Sequence, residues 1–187
     1  MMIAVGVDPG HTGAAARVVV DVETRVCRVV TWGAWRRTRR RTHPYEAIAS
    51  RHAVSDEWSR LPAAMTAAAP WMDVCAVAAV EGIRPHGRVA HLVPLAEAAG
   101  MAAALTGATH RPHANEWRRD VLRLAASTSA AGAERAACMA WGLAPGVRAL
   151  GLTWRAEWDA PAPPSWAVGH VAEAACIAVW AALWGQP

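Results

Sequence analysis

IAVGVDPGHTG, at residues 3–13, decides the fold, because an apolar run ends in an acid and passes directly into a glycine-rich turn. The run has the β-branched content and the length of a strand, and the proline and glycines after it favour a turn. Residues 14–21 (AAARVVVD) and 25–32 (RVCRVVTW) are similar short runs bounded by turn residues. We therefore predict three strands in an antiparallel meander, with Asp8 at the end of the first.

The rest of the chain adds helices and a further buried strand. Residues 73–81 (DVCAVAAVE) are almost continuously apolar and have the length of such a strand. Residues 144–165 contain several prolines and glycines and predict an irregular loop. We expect helices at about 44–69 with a break near Val54, 92–105, 115–124 with Asn115 as N-cap, 133–141 and 167–183, and a short extended piece at 109–112. This order, within 187 residues, predicts one mixed α/β domain spanning residues 1–187.

The chain contains no lysine, so all 19 of its Lys and Arg positions are arginine. A P-loop lysine, a Schiff-base lysine and a kinase-type lysine are therefore excluded. Arginine also binds phosphate through two parallel hydrogen bonds. A net charge of +4 and an isoelectric point near 9.4 accordingly favour a polyanionic partner.

Four cysteines lie far apart in apolar surroundings, and none belongs to a C-x-x-C pair: Cys27, Cys75, Cys138 and Cys176. They predict small core residues in a reducing compartment. The most apolar segment, 171–184, contains Glu173 and is shorter than the roughly 20 residues that cross a bilayer. Since no charged leader precedes the first strand, we expect a soluble cytoplasmic protein that does not enter a membrane.

Two acids stand at the ends of apolar strands. Asp8 closes the first strand, and Glu81 closes the buried strand and is followed by Gly82. An acid in this position points into the crevice at the sheet edge, where α/β proteins bind ligands. The structural alternative is that each acid is solvated and merely opens a loop.

His170 and Glu173 form another polar feature, on the last helix. They are three residues apart, so they leave the same face of a helix that is otherwise apolar or small from 168 to 183. Such a pair either faces a site or stabilises the helix, because the helix dipole favours an acid in the first turn. Together with Asp8 and Glu81 it makes a set of hard ligands suited to Mg²⁺ or Mn²⁺. Two such ions would activate a water and stabilise the leaving oxygen in phosphodiester hydrolysis.

Four segments match the motifs of one nuclease family in the family's order. VGVDPGHTGAA matches an apolar strand that ends in Asp-Pro-Gly with a glycine three residues on, and AVAAVEG matches a strand that ends in a catalytic glutamate. LAEAAGMAAALTGATHRPHANEWRRDVL matches a helix and a strand, followed by a segment that begins with proline and contains Trp before Lys or Arg. HVAEAACIAVWA matches a closing helix in which Asp or His precedes an acid by three residues. On these segments, which cover most of the chain, the sequence resembles the RuvC-type Holliday junction resolvases.

The resemblance implies an RNase H-like fold, which is an α/β domain with a mixed five-stranded sheet flanked by helices. It implies that the catalytic and metal-binding residues are Asp8, Glu81, His170 and Glu173, holding Mg²⁺ or Mn²⁺ with two ions per site. It also implies a homodimer that holds branched DNA, a four-way junction, and resolves it by nicking two strands symmetrically. Many relatives have aspartate where this chain has Glu173, so this position departs from the family's pattern.

Ten basic side chains in three places are the predicted DNA contacts. They are Arg36, Arg37, Arg39, Arg40 and Arg41 in a basic run, Arg84, His86 and Arg88 after the second acid, and Arg118 and Arg119 at the start of a helix. Side chains of this kind make phosphate contacts that do not depend on sequence. The alternative for the basic run is a solvated loop.

Other interpretations of the same residues are weaker. Histidine pairs such as His110 and His113, or His86 and His91, lack the cysteine partners of a zinc site. The Asp-Pro-Gly turn is also similar to the phosphate-binding turn of sugar kinases and actin-like ATPases, but that fold needs two such domains and this chain is too short. Two alternatives stay open: an RNase H-like nuclease acting on other branched DNA or RNA, and a non-catalytic DNA-binding module of the same fold.

Overall fold

A mixed sheet forms the centre of the fold, and this confirms the predicted α/β class. The computed structural model describes residues 1–39, 41, 44–50, 56–58, 60–83, 89–146, 150 and 153–185. Within these ranges the strands are β1 (Met2–Asp8), β2 (Gly13–Asp21), β3 (Val26–Arg37), β4 (Tyr45–Ala49), β5 (Asp56–Trp58), β6 (Val77–Val80) and β7 (Arg155–Trp158). The helices are α1 (Leu61–Ala68), α2 (Val89–Thr106), α3 (Ala114–Leu122), α4 (Ala130–Ala140) and α5 (Val168–Trp184).

The strands lie across the sheet in the order β5-β4-β3-β2-β1-β6, and β7 pairs with β3. β1, β2 and β3 pair antiparallel, so the predicted meander is confirmed. β6 lies parallel to β1, which brings the carboxyl ends of these two strands to the same edge of the sheet. The extended piece expected at 109–112 runs beside β6, where His110 and His113 form bridges with Ala79 and Gly82.

Apolar side chains fill both faces of the sheet, because successive strand residues point to opposite sides. On one face Val18 and Trp32 belong to a core shared with α3, α4 and α5. On the other face Val5, Val7 and Trp35 pack with residues of α1 and α2. None of the helices in the described ranges is long and apolar enough to span a bilayer.

Gly6 sets how closely α5 approaches the sheet. A Cβ atom at this position would lie 2.1 Å from the carbonyl oxygen of Ala174 and 2.2 Å from the backbone nitrogen of Ala178. No side chain fits such a gap, so glycine is required where the helix crosses β1. The same helix carries His170 and Glu173, and this close approach therefore places both beside the end of β1.

The helix expected at 44–69 is wrong over its first part. Residues 45–49 form strand β4 and 56–58 form β5, and the helix begins only at Leu61. β3 extends as far as Arg37 and offers an edge with which β4 pairs from Tyr45 onward, so strand pairing overrides the helical pattern of the alanines. The break expected near Val54 lies outside the described residues.

The loop expected at 144–165 contains a strand, which was not predicted because the prolines of this segment favour irregular structure. Residues 155–158 form β7, which pairs parallel with β3. Arg28 on β3 and Glu157 on β7 form an ion pair of 2.6 Å across this pairing. β4, with β5 beside it, and β7 both attach to the long β3, so the sheet formed by the described residues has seven strands and exceeds the five that were predicted.

The ends of α3 and α4 show how side chains cap these helices. The N-cap of α3 is His113 rather than the predicted Asn115, and the Glu116 carboxylate accepts the His113 backbone N–H at 2.7 Å. The hydroxyl of Ser129 accepts the Gly132 N–H and so caps α4. This helix ends just before Gly142, which has a φ of 70°, as its sequence predicts.

Candidate active site

A cavity of about 430 Å³ opens at the edge of the sheet where β1 and β6 end. Asp8 is the last residue of β1, and Glu81 follows β6 directly, with its backbone N–H donating to the Val7 carbonyl at 3.0 Å. His170 and Glu173 reach the same cavity from α5. All four residues predicted for the site therefore line one cavity, although three separate parts of the chain supply them.

Asp8 and His170 are joined by a short hydrogen bond. The Nδ1 atom of His170 lies 2.6 Å from Oδ2 of Asp8. This bond, and after it the Asp8 charge, raise the pKa of His170 above its ordinary value, although the partial burial of the ring acts in the opposite direction. The carboxylate orients the imidazole so that Nδ1 is occupied and Nε2 is the remaining ring nitrogen.

Glu81 is held by an indole that sequence reasoning did not include in the site. The Nε1–H of Trp117 donates to Oε2 of Glu81 at 3.1 Å, and the Trp117 side chain is fully buried. Burial, and next the nearby Asp8 charge, raise the pKa of Glu81 to about 7. The signal in the sequence was the Trp-Arg pair that follows Pro112, because a buried tryptophan needs a partner for its N–H.

Glu173 lies in the second turn of α5, so it is not a first-turn acid that the helix dipole stabilises. The first turn of this helix contains no acid, and the structural alternative considered for Glu173 is therefore wrong. Burial, then the charges of Asp8 and Glu81, raise the pKa of Glu173 to about 8. A carboxyl group kept in such surroundings at a cost to the fold is typical of a functional site.

Arg118 belongs to the site itself. Its Nη2 donates to Oε1 of Glu173 at 3.2 Å, and only 16% of the Arg118 side chain is exposed. The guanidinium also lies 5.1 Å from the centre of the Trp117 ring. Its Nε is buried and has no hydrogen-bond partner among the described residues. The arginine predicted as a DNA contact thus lines the same cavity as the four predicted site residues.

Trp35 holds the turn that follows Asp8. This tryptophan on β3 is fully buried, and its Nε1–H donates to the carbonyl oxygen of Gly10 at 2.9 Å. The turn is therefore fixed from beneath by a core side chain, which limits the movement of the aspartate. Trp35 was not predicted to support the site, because its contact with Gly10 spans 25 residues and leaves no local pattern.

The predicted DNA contacts of the basic run differ in their surroundings. Arg36 forms an ion pair of 2.8 Å with Glu46, and its guanidinium lies 4.6 Å from the centre of the Trp166 ring. By contrast, three arginines are exposed: Arg37, Arg39 and Arg41. Arg119 is also exposed and pairs with the neighbouring Asp120 at 2.7 Å. The other predicted contacts lie outside the described residues: Arg40, Arg84, His86 and Arg88.

The donor set of the cavity fits a hard divalent cation. Three carboxylates face one guanidinium, and two of these carboxyl groups have raised pKa values because burial and repulsion disfavour their charge. A cation would relieve that repulsion, and carboxylate oxygens and imidazole nitrogen suit Mg²⁺ or Mn²⁺. The side chains are engaged with one another, however, and no three His, Cys, Asp or Glu residues in the described part of the chain form a group spaced to hold an ion.

The fold is similar to that of a solved structure. The chain superimposes on T. thermophilus RuvC, solved in complex with a Holliday junction substrate, with a TM-score of 0.50 and 18% sequence identity. The match covers 99% of this chain and 95% of the other. The fold is therefore an RNase H-like fold of the RuvC type. No family model and no curated protein matches the sequence.

Proposed function

We propose that this protein is a metal-dependent endonuclease that resolves four-way DNA junctions. The observation that carries the proposal is the convergence of Asp8, Glu81, His170 and Glu173 on one cavity at the carboxyl ends of β1 and β6. The similarity in fold to a RuvC bound to a junction supports this choice of substrate. The absence of lysine leaves arginine to provide the phosphate contacts.

Asp8, Glu81 and Glu173 are the residues that would hold Mg²⁺ or Mn²⁺ through their carboxylate oxygens. When bound, two such ions supply an activated water and stabilise the leaving oxygen in phosphodiester hydrolysis. The protein's own contribution is to keep the carboxylates together. Trp117 restrains Glu81 through its indole N–H, and Trp35 restrains the turn after Asp8.

His170 provides proton transfer in this account. Because Nδ1 is bonded to Asp8, Nε2 is the ring atom that accepts a proton from the attacking water. Arg118 provides positive charge at the wall of the cavity, next to Glu173. Its guanidinium, which lines the cavity, is a donor for an oxygen of the scissile phosphate, where charge builds up during the reaction.

Cleavage of a four-way junction requires two nuclease sites. A four-way junction is cut at two symmetrical positions, so we propose a homodimer in which each protomer cuts one strand. Exposed arginines of the basic run would bind the arms of the junction through phosphates. Analytical ultracentrifugation of the protein should show a dimer, both alone and with one bound junction.

A panel of substrates tests this proposal. The protein is incubated with Mg²⁺ and a synthetic four-way junction, beside linear duplex, flap and RNA substrates of the same length and base composition. We expect paired nicks in opposite strands of the junction and far slower cutting of the linear duplex. Preferred cutting of the flap or of RNA would instead identify a nuclease for other branched nucleic acids. Junction binding without any cutting would identify a non-catalytic module.

A further inference from the structure

A second cavity of about 590 Å³ lies beside the catalytic one. The two share four lining residues, Asp8, Pro9, Leu95 and His170, so they form one continuous opening. The second cavity follows the turn after β1 toward the end of β3, where Arg37 contributes to its wall. A DNA strand with its scissile phosphate between the carboxylates of the first cavity would therefore continue into the second cavity.

The second cavity has a different charge from the first. Apart from Asp8 and His170, which both cavities share, its charged and polar side chains are those of His11, Thr12 and Arg37, and none of these is acidic. Arg37 is exposed and forms no ion pair with any described residue, whereas its neighbour Arg36 is paired with Glu46. A guanidinium that has no acidic partner among the described residues and lines an open cavity is suited to an external anion.

His11 is held in place by a residue of the adjacent strand. Its Nδ1 lies 2.6 Å from the hydroxyl of Tyr45, and the two rings are stacked with their planes 13° apart. Tyr45 is buried at the start of β4, opposite Arg37 on β3. The pairing fixes the imidazole at the wall of the cavity, so a ligand that contacts His11 does not need to order it first.

We propose that this second cavity is a nucleotide subsite, which holds the phosphate next to the scissile one on the cleaved DNA strand. Arg37 and His11 contact that phosphate, and Tyr45 is a positioning residue that orients His11. The inference rests on the proposed function, because it takes the first cavity as the place of cleavage. The proposal therefore places the cleaved DNA strand on the side of the turn after β1 where β3 and β4 lie.

Junctions with a single neutral phosphate test the subsite. Methylphosphonate replaces each of the two phosphates that flank the scissile one, one at a time, and single-turnover cleavage is measured with Mg²⁺. We expect Arg37→Gln to lower kcat/KM on the unmodified junction about tenfold, which is the effect of one charge-assisted hydrogen bond. Tyr45→Phe should cause a smaller loss. Arg155→Gln is the matched control, because Arg155 is exposed on β7 at the opposite end of β3.

The decisive result is whether Arg37→Gln and the neutral phosphate in the DNA act independently on the cleavage rate. If Arg37 binds the flanking phosphate, neutralising that phosphate should slow the wild type about tenfold but should not slow Arg37→Gln further. Losses that multiply at both flanking positions would overturn the subsite while leaving the nuclease intact. A wild type that neither binds nor cleaves any junction would overturn the proposed function, and the subsite with it.

Discussion

The Nδ1 atom of His170 lies 2.6 Å from Oδ2 of Asp8, although 162 positions separate the two residues in the chain. The contact joins the end of the first strand to the start of the last helix. It exists because α5 lies directly on β1 at Gly6, which has no side chain to hold the helix away. The geometry of the site therefore depends on the packing of a residue that carries no chemistry.

Gly6→Ala should separate the helix from the strand. A methyl group that meets the backbone of Ala174 and Ala178 cannot be relieved by a side-chain rotation. We expect the free energy of unfolding to fall by about 3 kcal/mol, with the loss of junction cleavage. Gly100→Ala is the control, because no atom lies within 4 Å of a Cβ at that helical position, and it should be neutral or stabilising by up to about 1 kcal/mol. Equal thermal stability of the two variants would contradict the packing argument.

The stability of the metal-free protein should fall as the pH rises from about 5 to 8. Glu173 has an ordinary pKa of 4.5 and a folded-state pKa of about 8, so the folded protein binds more protons than the unfolded chain in this range. Each such proton changes the free energy of unfolding by at most about 1.4 kcal/mol per pH unit. Glu81 and His170, whose pKa values are also raised, act in the same direction.

Glu173→Gln should flatten that pH dependence in part. Thermal melts in the presence of a chelator measure the slope for the wild type and the variant. Glu157→Gln is the control: the Arg28 guanidinium lowers the pKa of Glu157, so this carboxyl is ionised throughout the range and the slope should not change. An unaltered slope in Glu173→Gln would show that its carboxyl is not held among like charges.

Trp117→Phe should weaken the metal site. The change removes the indole N–H that Glu81 accepts, and a hydrogen bond to a charged group contributes roughly 1.5–3 kcal/mol. We expect the Mg²⁺ concentration for half-maximal cleavage to rise about tenfold or more. Trp141→Phe is a matched control, since Trp141 is equally buried but donates to the sulfur of Cys176. If the two variants need the same Mg²⁺ concentration, the indole only fills space.

The basic run should control the salt dependence of junction binding. Each lost phosphate contact should reduce the slope of log K against log salt by about 0.9. Glutamine at Arg37, Arg39 or Arg41 should produce this change, whereas Arg36→Gln should have less effect because Glu46 already holds Arg36. A variant with all five arginines of 36–41 replaced, including Arg40, should flatten the slope most. An unchanged slope in that variant would mean that the run is a solvated loop.

Much of the fold was predictable because its signals are local. Alternation and β-branched residues define the meander, and the apolar run of 77–80 defines β6. β4 and β7 were not predicted, because each is stabilised by pairing with β3, and their own sequences are short and irregular. Strand propensity depends on context in this way more than helix propensity does.

The four residues that meet in the cavity were predictable, but the side chains that support them were not. Asp8 and Glu81 end apolar strands, and His170 and Glu173 are the polar exceptions on an apolar helix, so each leaves a mark in the sequence. Trp117 and Trp35 stabilise the site through N–H groups on buried rings. In a chain with 11 tryptophans no pattern distinguishes those two from the rest of the core.

Cleavage of a synthetic four-way junction by Asp8→Asn, compared with the wild type at a series of Mg²⁺ concentrations, tests the central claim most directly. The change keeps the shape of the side chain and removes its negative charge, which the proposed metal site requires. We predict metal-dependent cleavage by the wild type, a loss of about a thousandfold or more in Asp8→Asn, and unchanged junction affinity, because arginines hold the DNA. Glu81→Gln should behave in the same way. Wild-type cleavage by Asp8→Asn, or an equal loss of binding and cleavage, would contradict the account.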